Sequence, residues 1–275
     1  MLKKFIHSIT EFLGFRLLRV SNFEGIMKSV VAGQRDRMKL DVILSWHAES
    51  IKLGLDLALK ESRGQIGQDI AALVVNNFKK EGFFVEFGAG NGVDGSNTYI
   101  LERHFGWHGI LSEPARSWEG ELKKNRSCSI DTRAVWGRTG DLIEFREADS
   151  LYESGIIEAA NDVKGPIQET TRYSVETVSL QDLLEKNNAP SEIDYISIDT
   201  EGSEEVILKE FPFEKYTFNF ISIEHNRSST QIPIREILRR NGYRRIITPF
   251  GFEDWFIRDS LLNIAPNNLN FFLDD

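Results

Sequence analysis

Acidic residues stand where the apolar runs of this chain end, and that placing could do chemistry. Glu86 lies inside Phe83-Phe84-Val85-Glu86-Phe87 and leads into Gly88-Ala89-Gly90-Asn91-Gly92. Glu113 closes a second apolar run, Ile110-Leu111-Ser112. Asp199, Thr200 and Glu201 follow residues 193–198, and Glu224, His225 and Asn226 follow residues 218–223. In an open α/β sheet such positions gather along one edge, outside the carboxyl ends of the strands, where ligands bind. Glycines let a ligand approach the backbone, and a following helix start offers unpaired N–H groups. A carboxylate after the second strand accepts from both hydroxyls of a ribose, so Glu113 is the expected ribose partner.

Two frames fit the glycine loop. Gly90, Gly92 and Gly95 can be read as G-x-G-x-x-G, the dinucleotide fingerprint, which leaves Gly88 over. The other frame starts inside the strand at Glu86 and runs Glu86-Phe87-Gly88-Ala89-Gly90-Asn91-Gly92. It resembles motif I of S-adenosylmethionine-dependent methyltransferases. The neighbourhood extends the likeness: Gly67-Gln68-Asp69, residues 85–102 and 106–114, the strand-to-helix segment 173–184, and residues 193–204 with Asp199-Thr200-Glu201-Gly202. Together these pieces resemble the FkbM-type methyltransferases over about residues 67–255. Glu86 stands where many such enzymes carry Asp, and keeps the charge.

The resemblance implies S-adenosylmethionine as cofactor and a hydroxyl of a sugar, glycan or secondary metabolite as acceptor. Glu86, Gly88, Ala89 and Gly90 are then expected at the cofactor. Ser96, Asn97 and Thr98 are expected to cap the next helix or touch the cofactor's carboxylate, and Asp131 and Ala134 to lie where adenine is read. An alcohol is a poor nucleophile until its proton leaves, so a base or a metal must assist. Asp199, Glu224 and Asn226 resemble the divalent-metal arrangement of some O-methyltransferases and would suit Mg2+ through oxygen ligands. His225, with Asp199 and Glu224, is the metal-free alternative as catalytic base. Two other classes stay open: an NAD-dependent oxidoreductase acting on a sugar nucleotide, and a non-catalytic partner-binding module on the same fold.

The elements that must position these residues follow from periodicity. Apolar runs alternate with helical patterns, as a parallel sheet requires. Helices are expected over residues 40–59, 68–80, 115–125, 203–211 and 232–240, with Ser179 and Asp182 opening another through a cap. A third strand is expected over 127–136 and an extra one over 141–146. Residues 147–172 lack a clear pattern and suit a lid or substrate loop. Strands over 243–248 and 255–258 follow one another without a helix, so one strand must run antiparallel. The expected fold is the class I methyltransferase (Rossmann-like) three-layer α/β sandwich, with a mostly parallel seven-stranded sheet and added N-terminal helices. The domains are read as a helical appendage over 1–66 and a methyltransferase domain over 67–275.

Composition narrows the partners. A chain of 275 residues can bury a full α/β core. A net charge of -9 argues against binding nucleic acid, which needs a basic face. One cysteine, Cys128, excludes an intrachain disulfide and fits a reducing, cytoplasmic setting. Leu2, Phe5, Ile6, Ile9, Phe12 and Leu13 recur at helical spacing, which gives an amphipathic helix. Packing on the domain, self-association and peripheral membrane contact are its expected uses.

Overall fold

The computed structural model describes residues 49–149, 154–159, 169–226, 229–262 and 273. The chain divides between Trp46 and His47, and every described residue belongs to the second unit. The expected helix over residues 2–13 and the start of that over 40–59 lie outside the described residues, as do parts of the expected lid segment. No helix among the described residues is long and apolar enough to cross a membrane.

In chain order the elements are α1 (Glu49–Glu61), α2 (Gln68–Val75), β1 (Phe83–Phe87), α3 (Tyr99–Phe105), β2 (His108–Ser112), α4 (Glu119–Asn125), β3 (Ser129–Asp131) and β4 (Ala134–Trp136). They continue with β5 (Leu142–Ala148), β6 (Gly155–Ile156), β7 (Glu169–Ser179), α5 (Leu180–Lys186), β8 (Glu192–Ile198) and α6 (Glu204–Lys209). The last are β9 (Thr217–Glu224), α7 (Gln231–Arg240), β10 (Tyr243–Ile246) and β11 (Glu253–Arg258).

Seven strands form one sheet in the order β10-β11-β9-β8-β1-β2-β3. The pairs among β9, β8, β1, β2 and β3 are parallel, and β11 runs antiparallel to both its neighbours. The expected antiparallel ending is therefore present, as a strand inserted between β10 and β9. On one face Leu183, Leu184, Ile207, Leu208, Ile234 and Leu238 from α5, α6 and α7 form a core with Val85, Phe87, Ile196 and Ile221. On the other, α2 is tied to β8 and β9: Asn76 donates to the Asp194 carbonyl (3.0 Å), and Asn219 donates to Asn76 (2.8 Å). Tyr195 stacks on Phe220 on β9, with ring centroids 5.3 Å apart.

Three expectations need correction. The single third strand is two, because the Asp131 carboxylate accepts from the backbone N–H of Arg133 (3.0 Å) and from its guanidinium, which turns the chain. Only β3 stays in the large sheet; β4 begins a second sheet of order β4-β7-β5-β6. The helix expected to reach Lys80 ends at Val75, since Asn77 and Phe78 adopt positive φ of 53° and 51°. The segment read as a lid contains β6 and the start of β7, so part of it is sheet.

Candidate active site

The glycine loop is organised from below by buried charge. Glu86 points away from the strand tips and accepts from Asn97 N–H (2.7 Å), Ser96 Oγ (3.0 Å) and Thr98 Oγ1 (2.5 Å). Burial raises its pKa, against the opposing pull of the Arg126 guanidinium 3.7 Å away. Arg126 also bonds Glu102 (2.6 Å), the Gly92 carbonyl (3.1 Å) and Thr98 Oγ1 (2.9 Å). Glu86 is thus a brace for the loop rather than a wall of the cavity. Ser96 accepts from the N–H groups of Thr98, the N-cap of α3, and of Tyr99 (3.3 and 3.2 Å).

Above the loop, a cavity of about 230 Å3 runs along the strand tips. Trp118, Ala134, Phe145 and Ile156 give it an apolar lining. Gly88, Gly90 and Glu113 line it as well, with Asp199, Glu201 and Glu224. The second sheet closes it: a β-carbon on Gly155 of β6 would stand 3.1 Å from that of Glu201. Gly64 pairs with Gly95, and Asp69 accepts from Ser62 Oγ (2.8 Å) and from the N–H groups of Arg63 and Gly64, so residues 62–64 are held beside the glycine loop.

Glu113 accepts from Gly90 N–H and from Ala115 N–H, both at 2.8 Å. Burial lifts its carboxyl to about 7 despite those two N–H groups, with Glu147 and Glu86 adding to the rise. Asp199 is pushed well above the usual carboxylate range by burial and by neighbouring Glu224 and Glu201. Its Oδ1 is buried with no hydrogen-bond partner.

Not every expected residue meets the cavity. Ala89 is buried behind the loop, and Ser96 and Thr98 serve the brace. Asp131 turns to Arg133 (2.7 Å) and Lys186 (3.1 Å); burial works against its charge, but these cations hold its pKa at about 2. His225 is buried away from the cavity, its Nε2 3.0 Å from Gln231 Nε2 and 3.5 Å from Asp254 Oδ2. Of the residues expected to hold a metal, Asp199 and Glu224 line the cavity, and the Asn226 amide donates to Glu201 (3.3 Å). Among the described residues no group of three or more His, Cys, Asp or Glu side chains is placed to hold a metal ion. Sequence reasoning missed Arg126, Gln65 and Glu253, none of which sits in a glycine motif or directly after an apolar run.

The methyltransferase FkbM domain pattern matches residues 86–245, more than half of the chain. This chain belongs to the FkbM methyltransferase family. The match begins at the brace Glu86 and ends in β10, so it takes in the glycine loop, Glu113, Asp199 and Glu224. No curated protein matches the sequence. Solved structures of low similarity include the precorrin-6y C5,15-methyltransferase of Geobacter metallireducens, at 12% identity and TM-score 0.37, covering 69% of this chain and 85% of that one. The ribosomal protein L11 methylase of Lactobacillus delbrueckii subsp. bulgaricus has 10% identity and TM-score 0.35, covering 69% and 75%. A methyltransferase of Pyrococcus furiosus has 12% identity and TM-score 0.34, covering 72% and 85%. At that similarity nothing about cofactor or acceptor follows.

Proposed function

We propose that this FkbM-family protein moves a methyl group from S-adenosylmethionine to a hydroxyl of a sugar, glycan or other small acceptor in the cytoplasm. The observation that carries this reading is one cavity lined by an apolar set, Glu113, Gly88, Gly90, Asp199 and Glu224. The cofactor supplies an electrophilic methyl; the protein has to align it with a nucleophile. Trp118 and Phe145 suit the flat faces of adenine, and the Glu113 carboxylate suits the two ribose hydroxyls. Gly88 and Gly90 line the space for the chain that follows the ribose. Asp199 and Glu224 face the remaining space, and their proximity favours a state in which the pair shares one proton. That pair takes the acceptor's proton as the new bond forms. His225 and Asn226 have no part in this step, and no metal is invoked. The N-terminal apolar face over residues 2–13 is assigned to packing, self-association or membrane contact.

Calorimetric titration with S-adenosylhomocysteine tests the cofactor, with NAD as control and Glu113→Ala alongside. Micromolar binding lost in the variant is expected. Binding of NAD alone would move the oxidoreductase to first place, and binding of neither would favour the partner-binding module.

A further inference from the structure

The cavity wall is drawn from both sheets, and a buried carboxylate joins them. Pro114 and Trp118 come from the turn after β2, and Phe145 comes from β5 of the second sheet. Two residues on from Phe145, Glu147 lies on the same face of β5 and is 4% exposed. It accepts from the Ser117 N–H (3.2 Å), Ser117 Oγ (2.5 Å) and Tyr173 Oη of β7 (2.5 Å). Burial opposes its charge, yet the donors from Ser117 and Tyr173 hold its pKa below the usual carboxylate value. Tyr173 Oη accepts from the Arg116 N–H (3.0 Å), and the Arg116 guanidinium lies 3.9 Å above its ring. The Ala115 N–H goes to Glu113 (2.8 Å). Each amide from Ala115 to Ser117 thus donates to a side chain, and two of those three side chains belong to the second sheet. A carboxylate taken out of water is stabilised by donors aimed at it, so this contact fixes the turn in one geometry.

We infer that Glu147 and Tyr173 are positioning residues for the cofactor: they clamp the turn 114–118 to the second sheet and so hold Trp118 and Glu113 against the nucleoside. The inference rests on the reading of this cavity as the S-adenosylmethionine site and adds two residues that stand behind its wall. Neither is among the residues that line the cavity. Glu113 belongs to the clamped unit, because one of its oxygens holds the Ala115 N–H while the other holds the Gly90 N–H of the glycine loop. Slack in the turn would therefore loosen the flat wall and the ribose partner together. Glu147 also acts on Glu113 by charge. Burial is the main cause of the raised Glu113 carboxyl, and Glu147 on β5 and Glu86 on β1 are the charged groups that add to it. The effects of the two residues are separable: Tyr173 acts through position, and Glu147 through position and charge.

The test titrates the full-length protein with S-adenosylhomocysteine over a pH range centred on about 7, in Tyr173→Phe, Ser117→Ala and Glu147→Gln. Urea denaturation confirms that each variant is folded. Tyr173→Phe keeps the ring under Arg116 and removes the hydroxyl, and Ser117→Ala removes a donor at an exposed residue. Both are expected to lose at least about fivefold in affinity at every pH, with the midpoint of the pH profile unmoved. Glu147→Gln keeps hydrogen-bonding groups and removes the charge, so its midpoint should move to lower pH. A purely structural contact would lower stability without moving that midpoint. Fluorotryptophan NMR of the free protein, with the Trp118 signal assigned by Trp118→Phe, reads the clamp without cofactor: Tyr173→Phe should shift or broaden that signal. Unchanged affinity in Tyr173→Phe and Ser117→Ala, an unmoved midpoint in Glu147→Gln, or an unchanged Trp118 signal would each overturn the clamp. Failure of the wild-type protein to bind S-adenosylhomocysteine would overturn the cofactor reading instead, and the Trp118 signal would still decide the clamp.

Discussion

The backbone carbonyl of Asp199 lies 2.1 Å from the point where a β-carbon on Gly88 would stand. Gly88 also holds a φ of 72°, which side-chain residues rarely adopt. The tips of β1 and β8 therefore meet with no room between them, and that contact sets the cofactor turn beside the proposed base. Gly88→Ala should lower the unfolding free energy by at least about 1–3 kcal/mol from backbone strain alone and weaken S-adenosylhomocysteine binding. Gly120→Ala, in open space on α4, should be neutral or stabilising by about 0.5–1 kcal/mol. Urea denaturation of both variants, with cofactor titration, checks the contrast.

Glu113 makes cofactor binding depend on pH. Its raised carboxyl, about 7, is protonated below that value, and a protonated acid loses the charge and part of the acceptor capacity that hold two ribose hydroxyls. Affinity for S-adenosylhomocysteine should be about tenfold weaker at pH 6 than at pH 8, the factor expected for one group titrating near 7. In Glu113→Gln the affinity should be lower at both pH values and the pH dependence lost. An unchanged profile in the variant would exclude Glu113 as its source.

Asp199 and His225 should separate cleanly by kinetics. Asp199→Asn is expected to lower kcat by about 10²–10⁴-fold while leaving the affinity for S-adenosylhomocysteine nearly unchanged. His225→Gln should keep kcat within about tenfold and cost about 1–3 kcal/mol of stability through its lost buried partners. Reversed effects would return the histidine to the base position.

Arg126 should prove more important to the fold than any residue of the cavity wall. Its side chain is 1% exposed and compensates Glu86 and Glu102 together. Arg126→Met leaves both carboxylates facing an apolar group, with an expected loss of about 3–5 kcal/mol. Loss of cofactor binding should follow in the fraction that stays folded, because the brace positions Asn97 and Thr98. Denaturant midpoints and calorimetry read the two effects separately.

Glu253 should tie stability to pH with a definite sign. Burial lifts its carboxyl to about 8, against the N–H groups of Trp255 and Gln68, with Glu224 and Asp254 adding to the rise. The folded state thus retains a proton that the unfolded state releases above its ordinary value of 4.5. Its contribution to stability is full below that value and is lost as pH rises toward 8, by about 5 kcal/mol at the ceiling. Glu253→Gln should flatten the fall in Tm between pH 5 and pH 8.

Local order along the chain was enough to read much of this protein. Apolar runs broken by Gly88-Ala89-Gly90, Glu113 and Asp199-Thr200-Glu201 set the alternation of strand and helix, hence the parallel sheet and the edge where ligands bind. The hairpin after Gly242 was legible because Tyr243–Ile246 and Glu253–Arg258 leave no length for a crossover helix. Direction was not legible, because a side chain beyond a strand tip can point to the cavity or away from it. His225 turns to Gln231, while its neighbour Glu224 lines the cavity. Partners distant in the chain were equally hidden: Arg126 meets Glu86 40 residues earlier, and Glu253 meets Gln68 across 185 residues. Sequence decided which groups could ionise and roughly which strand carried them. Only the tertiary packing decided which were buried against each other, and burial is what raises Glu113, Asp199 and Glu253 while cations hold Asp131 down.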